Sequence, residues 1–379
     1  MKEIRIAFTG GGTGGHVYPL LTVADSIKKQ LDAFKKDYLF YYFGSPDSFG
    51  TEFLSRKIKI VNIVSFKFRR YFSVENIIDF FKFPIAFIQA FVKMFFVMPD
   101  IVFSKGGTGA IAVVLAAAFY RIPIFIHESD SIPGLSSKIS FPFAKRVAVS
   151  FSKTLEYFSG SKVALVGNPI RSFLLEPEND LTQEKAKKIF GFDPGLPLIL
   201  VLGGSQGSTR INEFMLDNVK DFISKYQVLH QVGLDNFSSF KNELAVATQR
   251  FIPQERTKYR IVDFFRKEMK DAMIAADVIV SRSGSGAIFE IASFKKPSIL
   301  IPLPESANNH QFYNAYEFAK KGSCIVIEED NLQPTIFFNQ LDNLIKDPQK
   351  YSAMAGNAGL FSKPQAADMI AGEIISLIK

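Results

Sequence analysis

The sequence predicts an α/β protein built from two doubly wound, Rossmann-like domains. Short apolar runs alternate with longer amphipathic ones, which is typical of parallel β-α-β units. This rhythm opens twice on a strand that runs into a glycine turn, at 4–15 and at 198–208, and the motif Gly-Asn-Pro-Ile-Arg at 167–171 lies between the two openings. Because open parallel sheets bind ligands at the carboxyl ends of their strands, we expect the two sheets to face an interdomain cleft.

The elements follow this rhythm in order. In an N-terminal domain placed at 1–166, helices are predicted at 17–31 and 109–120, and strands at 4–8, 38–44, 58–64, 100–107, 122–128, 146–151 and 162–168. In a C-terminal domain placed at 167–365, the opening at 198–208 is followed by strands predicted at 228–233, 259–264, 277–284, 298–303 and 324–329. A last helix in 366–379 is expected to pack back on the N-terminal domain.

Composition limits the function classes. The formal net charge of +8 suits phosphate-bearing ligands, nucleic acid or an anionic membrane surface, and selects none of them. Cys324 is the one cysteine of the sequence, so no internal disulfide can form. No Cys/His cluster has zinc spacing, and no signal-peptide pattern opens the sequence. We therefore expect a reduced, cytoplasmic protein.

Three glycine turns follow predicted strands, at 10–15, 105–109 and 203–207. Such a turn lets backbone N–H groups approach a phosphate, and the helix N-terminus behind it adds partial positive charge. None of the three is a Walker loop. The spacing in 10–15 is a weak dinucleotide signal, because Asp47 is a poor candidate for the ribose carboxylate.

The histidines are candidates for proton transfer. His16 follows the first glycine turn, His127 ends a strand beside Glu128, and His310 precedes a helix. A neutral imidazole can take the proton from an attacking hydroxyl. A structural role remains the alternative for each, and it is favoured for His230.

Two charged side chains are candidates for substrate binding. Arg171 could bind a phosphate bidentately or be an ordinary surface cation. Glu290 could accept hydrogen bonds from sugar hydroxyls or only be favoured by a helix N-terminus.

The aromatic stretch 66–98 is strongly apolar but too often interrupted to span a membrane. Pro84 should kink or end a helix there. The stretch is either a helix of the core or an interfacial element whose cations, Lys67, Arg69, Arg70, Lys82 and Lys93, meet anionic headgroups.

Seven motifs in this order resemble the MurG family of bacterial glycosyltransferases, which have the GT-B fold. They lie at 11–19, 104–117, 127–138, 167–171, 203–208, 276–292 and 310–315. The resemblance implies inverting transfer of N-acetylglucosamine from its UDP form to the 4-OH of lipid-linked muramyl-pentapeptide pyrophosphate. It also implies a peripheral protein on the cytoplasmic face of the cell membrane, touching it through 66–98. Neither a nucleic-acid partner nor a cofactor is expected, and no metal-binding Asp-x-Asp motif stands out.

The resemblance also implies site residues. His16 matches a proposed catalytic histidine, either as general base or as acceptor-diphosphate ligand, and His127 and Glu128 are further catalytic candidates. Phe265 would offer backbone atoms to uracil, and Glu290 would accept the ribose hydroxyls. The remaining substrate-binding candidates are Thr13, Gly14, Gly15, Asp130, Arg171, Ser205, Ser285, Gly286, Ala287, His310 and Gln311.

Three positions depart from the family pattern. Thr108 replaces an aromatic residue, and Asp130 stands where some members carry asparagine, which donates a hydrogen bond that aspartate cannot. Small residues at 285–287 replace bulkier ones, so backbone contacts to a diphosphate could remain but side-chain contacts could not. The alternatives are a UDP-N-acetylglucosamine 2-epimerase, a glycolipid glycosyltransferase, or a UDP-binding protein whose catalytic site has decayed.

Overall fold

A computed structural model describes residues 3–66, 74–176, 180–204 and 206–378, with the backbone alone at 74–80. The chain divides into two compact units. Unit 1 comprises Met1–Arg171 and Lys363–Lys379, and unit 2 comprises Ser172–Ser362. The domain boundaries drawn from the sequence, at 166 and 365, stay a prediction about functional domains.

Within the described residues, unit 1 contains one sheet of seven parallel strands. They are β1 (Ile4–Thr9), β2 (Tyr38–Phe43), β3 (Lys59–Val61), β4 (Ile101–Ser104), β5 (Ile124–Glu128), β6 (Arg146–Val149) and β7 (Val163–Leu165). Their order is β3-β2-β1-β4-β5-β6-β7. The chain direction across the sheet reverses between β1 and β4, which is the switch point where doubly wound sheets bind ligands. The glycine turns after β1 and β4 both lie at this point.

The helices of the first part of unit 1 cover the two faces of this sheet. They are α1 (Gly14–Ala33), α2 (Gly50–Ser55), α3 (Val74–Val97), α4 (Ala110–Phe119) and α5 (Leu135–Ser140). Helix α1 belongs to the apolar cluster on one side of the sheet, and α3 and α4 belong to the cluster on the other. Because both faces are covered, the central strands are buried on both sides.

The prediction that Pro84 could end a helix was wrong. Helix α3 continues through Pro84 to Val97. Proline removes one backbone hydrogen bond, but Ala86, Ala90 and Met94 on the following turns are fully buried in the core cluster. This burial holds the C-terminal part of the helix against the sheet.

Unit 2 contains, in its described part, a parallel sheet of six strands. They are β8 (Leu198–Leu202), β9 (Gln227–Gln231), β10 (Tyr259–Val262), β11 (Val278–Ser281), β12 (Ser298–Leu300) and β13 (Ile325–Val326). Their order is β10-β9-β8-β11-β12-β13, so the switch point lies between β8 and β11. The predicted class, two doubly wound parallel sheets, is confirmed.

The helices of unit 2 follow the strands in the alternation that the sequence predicts. They are α6 (Ser172–Leu175), α7 (Gln183–Ile189), α8 (Thr209–Asp217), α9 (Val219–Lys225), α10 (Phe237–Ala247), α11 (Pro253–Arg256), α12 (Met269–Ala275), α13 (Ser285–Ser293), α14 (His310–Ala319), α15 (Pro334–Lys346) and α16 (Pro348–Phe361). Helices α8 and α13 begin directly after the loops at the switch point. Their N-termini therefore lie at the edge where a ligand is expected.

Helix α17 (Ala366–Ile378) returns the chain to unit 1. Its Ile370, Ile374 and Ile375 are buried in the cluster that contains α1, and full burial of such a side chain contributes roughly 1.5–3 kcal/mol. Gln30 of α1 donates a hydrogen bond to the backbone oxygen of Asp368 at 3.1 Å. Unit 1 is thus completed by residues that follow unit 2 in the sequence.

Candidate functional site

The first glycine loop carries His16 at its end. Thr13 is the extended N-cap of α1, and its carbonyl accepts the amide of His16 at 2.9 Å. The Thr13 hydroxyl lies 2.9 Å from His16 Nδ1, and the imidazole is half-buried. In the tautomer with the proton on Nδ1, this nitrogen donates to Thr13 and Nε2 carries the lone pair that a general base needs. Thr13 can therefore fix both the tautomer and the direction of the ring.

The glycines of this loop have different environments. Gly14 is buried, and a Cβ built on it would lie 3.3 Å from the Tyr18 ring. A Cβ on Gly15 would have no neighbour within 4 Å, so packing within the protein does not require glycine there. An open position in the first turn of a helix favours the close approach of a ligand.

The second glycine loop lies against the first. Gly106 and Gly107 have φ of +83° and +87°, a conformation that favours glycine. A Cβ on Gly107 would lie only 2.7 Å from the backbone nitrogen of Gly11. The Thr108 hydroxyl donates to the carbonyl of Phe66 at 2.6 Å, so this departure from the family pattern has a local hydrogen-bonding role. The two glycine loops form one backbone surface at the switch point.

His127 is placed differently from His16. Its side chain is fully buried on β5, with Nε2 2.9 Å from the carbonyl oxygen of Gly167 and 3.2 Å from Ser150 Oγ. Burial, and then the charge of Lys105, holds its pKa well below the ordinary value, so the ring stays neutral. These contacts favour a structural role, and a catalytic role of His127 stays a prediction.

Glu128 holds the segment that follows β5. Its carboxylate accepts the amides of Asp130 at 3.0 Å and Gly134 at 3.1 Å. Burial raises its pKa, and the nearby carboxylate of Asp130 raises it further. Asp130 itself is half-buried, and its carbonyl accepts the Thr154 hydroxyl at 2.8 Å. The geometry makes Glu128 an anchor of the 129–134 segment, and its proposed catalytic part stays a prediction.

Arg171 lies beside the first glycine loop. Its guanidinium carbon is 5.6 Å from the centre of the Tyr18 ring on α1, half a turn after His16. Stacking of this kind orients a guanidinium. Because residues two apart on a helix face different sides, this contact places Arg171 against α1 but not against His16. A contact of Arg171 with the donor or a diphosphate stays a prediction.

The third glycine loop follows β8 in unit 2. Ser205 lies outside the described residues. Gly207 has φ of +82°, and a Cβ there would lie 2.2 Å from the carbonyl oxygen of Val232. Ser208 caps α8 by accepting the amide of Ile211 at 3.4 Å. The loop therefore delivers the chain tightly into the N-terminus of α8.

Phe265 follows β10 and is almost fully buried. Its amide donates to Gln231 Oε1 at 2.9 Å, and Gln231 Nε2 donates to the carbonyl of Gly204, also at 2.9 Å. The backbone N–H of Phe265 already donates to Gln231. Of the backbone atoms predicted to contact uracil, the carbonyl oxygen of Phe265 is therefore the one that remains as a candidate. Gln231 ties the third glycine loop to the predicted uracil loop.

Three predicted diphosphate residues, Ser285, Gly286 and Ala287, form the first turn of α13 after the N-cap Gly284. A Cβ on Gly284 or Gly286 would meet nothing within 4 Å. A helix N-terminus with this open space suits an anion. Glu290 lies in the next turn and is half-buried, which leaves part of its surface accessible to a ligand.

Gln311 lies in the first turn of α14. Its Oε1 accepts the amide of Leu303 at 3.1 Å, and its carbonyl accepts the Ser283 hydroxyl at 2.8 Å. Its side-chain amide is thereby fixed beside the loop that leads into α13. His310, half-buried, is the first residue of α14. The structure brings both predicted residues to the same edge as 285–287.

Three buried polar residues of these loops were missed from the sequence. They are Lys105, Gln231 and Arg282. Arg282 pairs with Glu329 at 2.5 Å and donates to Ser208 Oγ at 2.7 Å, so it supports the N-cap of α8. One feature of the sequence could have identified these three residues: each is a polar or charged residue at the end of a predicted apolar strand.

Neither a membrane-spanning helix nor a metal-binding cluster is present in the described part of the chain. No helix there has both the length and the apolar character needed to cross a bilayer. No group of three or more His, Cys, Asp or Glu side chains there could hold a metal ion. Transfer without a metal stays a prediction.

Two domain families match the chain. The glycosyltransferase family 28 N-terminal domain matches residues 6–149, and the C-terminal domain of the same family matches residues 198–370. Among solved structures, Acinetobacter baumannii MurG superimposes with a TM-score of 0.73 at 23% identity, covering 98% of this chain and 99% of that one. The UDP-GlcNAc 2-epimerase of Neisseria meningitidis gives 0.69 at 14%, covering 98% and 100%. At such identities, these likenesses establish the fold alone.

Curated relatives are more similar in sequence. The UDP-N-acetylglucosamine–N-acetylmuramyl-(pentapeptide) pyrophosphoryl-undecaprenol N-acetylglucosamine transferase of Clostridium tetani is 34% identical, covering 93% of this chain and 92% of its own. The enzyme of that name from Treponema denticola is 32% identical, covering 98% and 95%, and that from Clostridium novyi is 34% identical, covering 100% and 99%. Matched over nearly its whole length at 32 to 34% identity, the chain belongs to this family of N-acetylglucosamine transferases, within glycosyltransferase family 28.

Proposed function

We propose that the chain transfers N-acetylglucosamine from UDP-N-acetylglucosamine to the 4-OH of the lipid-linked muramyl-pentapeptide pyrophosphate, with inversion at the anomeric carbon. The product is the second lipid intermediate of peptidoglycan synthesis. The observation that carries this proposal is membership, over nearly the whole chain, in the family of transferases of this name. The sites at both switch points support it, because each offers backbone amides and open space to a phosphate.

The two substrates are assigned to different units. We infer that the acceptor diphosphate binds at the glycine loops after β1 and β4, in the domain 1–166 completed by 366–379. The donor diphosphate would bind at the N-termini of α8 and α13, in the domain 167–365. There Glu290 would accept the ribose hydroxyls, and Gln311, fixed through Leu303, would bind the donor sugar.

The reaction follows from this assignment. The acceptor oxygen forms a bond to the anomeric carbon while the bond from that carbon to the UDP oxygen breaks, and the electron pair leaves with UDP. The hydroxyl proton passes to His16 Nε2, since Thr13 holds Nδ1. The helix N-termini stabilise the charge that develops on the leaving diphosphate.

The test supplies labelled UDP-N-acetylglucosamine together with a soluble analogue of the lipid-linked muramyl-pentapeptide pyrophosphate. We expect labelled disaccharide product and release of one UDP per transfer. Failure to form the disaccharide while UDP still binds would contradict the proposal. Conversion of UDP-N-acetylglucosamine alone to its 2-epimer would identify an epimerase instead.

A lipid-linked acceptor is held in a membrane, so the enzyme must approach the membrane surface. Helix α3 has an exposed apolar strip that suits this contact. Among the described side chains of α3, from 81 to 97, those exposed at helical spacing are apolar, with 50 to 76% of their surface accessible at Phe81, Ile85, Ile88, Phe95 and Phe96. The opposite face packs on the core. Lys67, Arg69 and Arg70 lie outside the described residues. We propose that this strip of α3 rests on the cytoplasmic face of the cell membrane.

Phe96→Ser should weaken binding to vesicles of anionic phospholipid by about tenfold, because an exposed Phe gains roughly 1.5–3 kcal/mol on full burial in an apolar phase and less on partial burial. Co-sedimentation measures the partition coefficient. Leu360→Ser, in α16 of unit 2, is the matched control, since Leu360 is 81% exposed and Phe96 76%. Equal loss of binding in both variants would argue against the α3 strip.

A further inference from the structure

Lys105 is a buried cation between the two glycine loops of unit 1. Only 2% of its surface is accessible. Its amide donates to the carbonyl of Thr9 at 2.9 Å, and its Nζ donates to Ser129 Oγ. A Cβ built on Gly10 would lie 3.4 Å from the Cβ of Lys105. Lys105 thus contacts the end of β1, the first glycine loop and the segment after β5.

Two carboxylates and one imidazole face this cation among the described residues. Glu128 and Asp130 attract the ammonium, and His127 is neutral. Burial lowers the pKa of Lys105 from 10.5 to about 8, and both carboxylates oppose this shift. A buried charge is tolerated when it is paired and hydrogen-bonded. The stability of this buried cluster therefore depends on the attraction between the charge of Lys105 and those of Glu128 and Asp130.

The charge of this cluster matters because the proposed ligand at this edge of the unit 1 sheet is the acceptor diphosphate. Two carboxylates beside the glycine loops would repel a diphosphate. Asp130 adds a second carboxylate two residues after Glu128 in this segment. Lys105 is a cation that faces Asp130.

We propose that Lys105 is a positioning residue for the acceptor: its ammonium offsets one of the two negative charges of Asp130 and Glu128, so that the 129–134 segment can lie against an anionic diphosphate. This rests on the proposed function. Glu128 accepts the backbone amides of Asp130 and Gly134, and neither hydrogen bond uses the side chain of Lys105 or Asp130. We therefore expect both hydrogen bonds to remain when Lys105 and the charge of Asp130 are removed together. The net charge of the three groups then stays at one negative charge, so the two substitutions should compensate each other.

The test compares wild type, Lys105→Met and the double variant Lys105→Met/Asp130→Asn of the full chain. Steady-state rates are measured with UDP-N-acetylglucosamine and the soluble acceptor analogue, each varied in turn. Lys105→Met should raise the KM for the acceptor about tenfold or more, because the group then carries two negative charges instead of one. The KM for the donor should stay within about twofold, since unit 2 binds it, and the double variant should recover most of the acceptor KM.

A second readout separates this role from a purely structural one. In wild type the acceptor KM should rise as the pH passes about 8, where Lys105 loses its proton. The unfolded chain binds more protons between about 8 and 10.5, so this group makes the folded state more stable as the pH rises through that window. A KM that rises while stability does not fall cannot come from unfolding. The double variant should lack the KM step.

Several outcomes would overturn the proposal. These are an unchanged acceptor KM in Lys105→Met, equal changes in both KM values, or a double variant no better than the single one. If Lys105→Met does not fold, the double variant decides, because it contains no added charge imbalance and must both fold and bind the acceptor. A wild-type protein that transfers no sugar would instead refute the proposed function.

Discussion

His16→Ala is expected to lower kcat by about 100-fold or more, because a positioned general base contributes roughly 10²–10⁴-fold. His16 is the half-buried imidazole of the first glycine loop, and the Thr13 hydroxyl lies 2.9 Å from its Nδ1. The KM for the donor should change little. Initial rates with saturating donor and acceptor analogue measure the effect, and activity within a few-fold of wild type would reject the role of base.

His16→Gln separates the two roles that remain open for this residue. Glutamine keeps a side chain that can bind Thr13 or a phosphate oxygen, but it cannot take up a proton at neutral pH. If His16 is the base, His16→Gln should be as slow as His16→Ala, and kcat should lose the limb of its pH profile that falls towards acid. If His16 is instead a diphosphate ligand, His16→Gln should retain most of kcat and raise the acceptor KM.

Gly107→Ala is expected to lower the free energy of unfolding of unit 1 by about 3 kcal/mol. Roughly 1–2 kcal/mol comes from placing a side chain in the left-handed region, since φ is +87°. A further 1–3 kcal/mol or so comes from overpacking, because the added Cβ would lie 2.7 Å from the nitrogen and 2.8 Å from the Cα of Gly11. Urea unfolding followed by circular dichroism measures the loss.

Gly106→Ala is the matched control for this prediction. Gly106 has nearly the same φ, +83°, but a Cβ there would lie 3.4 Å from Ser136 Oγ and 3.5 Å from Ser137 Oγ, which are flexible side-chain atoms at ordinary contact distances. It should lose only the conformational part, about 1–2 kcal/mol. Equal losses in the two variants would show that the close approach of Gly107 to Gly11 adds no steric cost to the substitution.

Much of the fold followed from local pattern. The strands at 4–8 and 198–202 and the helix at 366–378 are predictable because apolar runs end in glycine turns and helical spacing is regular. The second and third glycine turns are readable because only glycine adopts positive φ easily, as Gly106, Gly107, Gly204 and Gly207 do. The motifs also placed His16, Gln311 and residues 285–287 at carboxyl edges of the sheets, where the structure has them.

The remainder depended on contacts between distant residues. His127 and Glu128 end a strand that is buried on both faces, so the sequence pattern could not distinguish an accessible side chain from an enclosed one. The hydrogen bond from Lys105 to Ser129 joins two loops from neighbouring strands, and the hydrogen bonds of Gln231 join Gly204 to Phe265. No local pattern encodes such pairings, because each needs the folded sheet to bring its partners together.

The return of α17 to unit 1 sets an order for folding during synthesis. The ribosome makes all of Ser172–Ser362 before α17 emerges, which takes roughly 10–40 seconds at bacterial rates. During that time the α1 side of unit 1 lacks Ile370, Ile374 and Ile375, its partners in the finished core. Unit 2, whose residues are contiguous, can fold first. Until α17 is made, unit 1 therefore exposes the apolar surface next to α1. We expect a chaperone that binds this surface to prevent aggregation during synthesis.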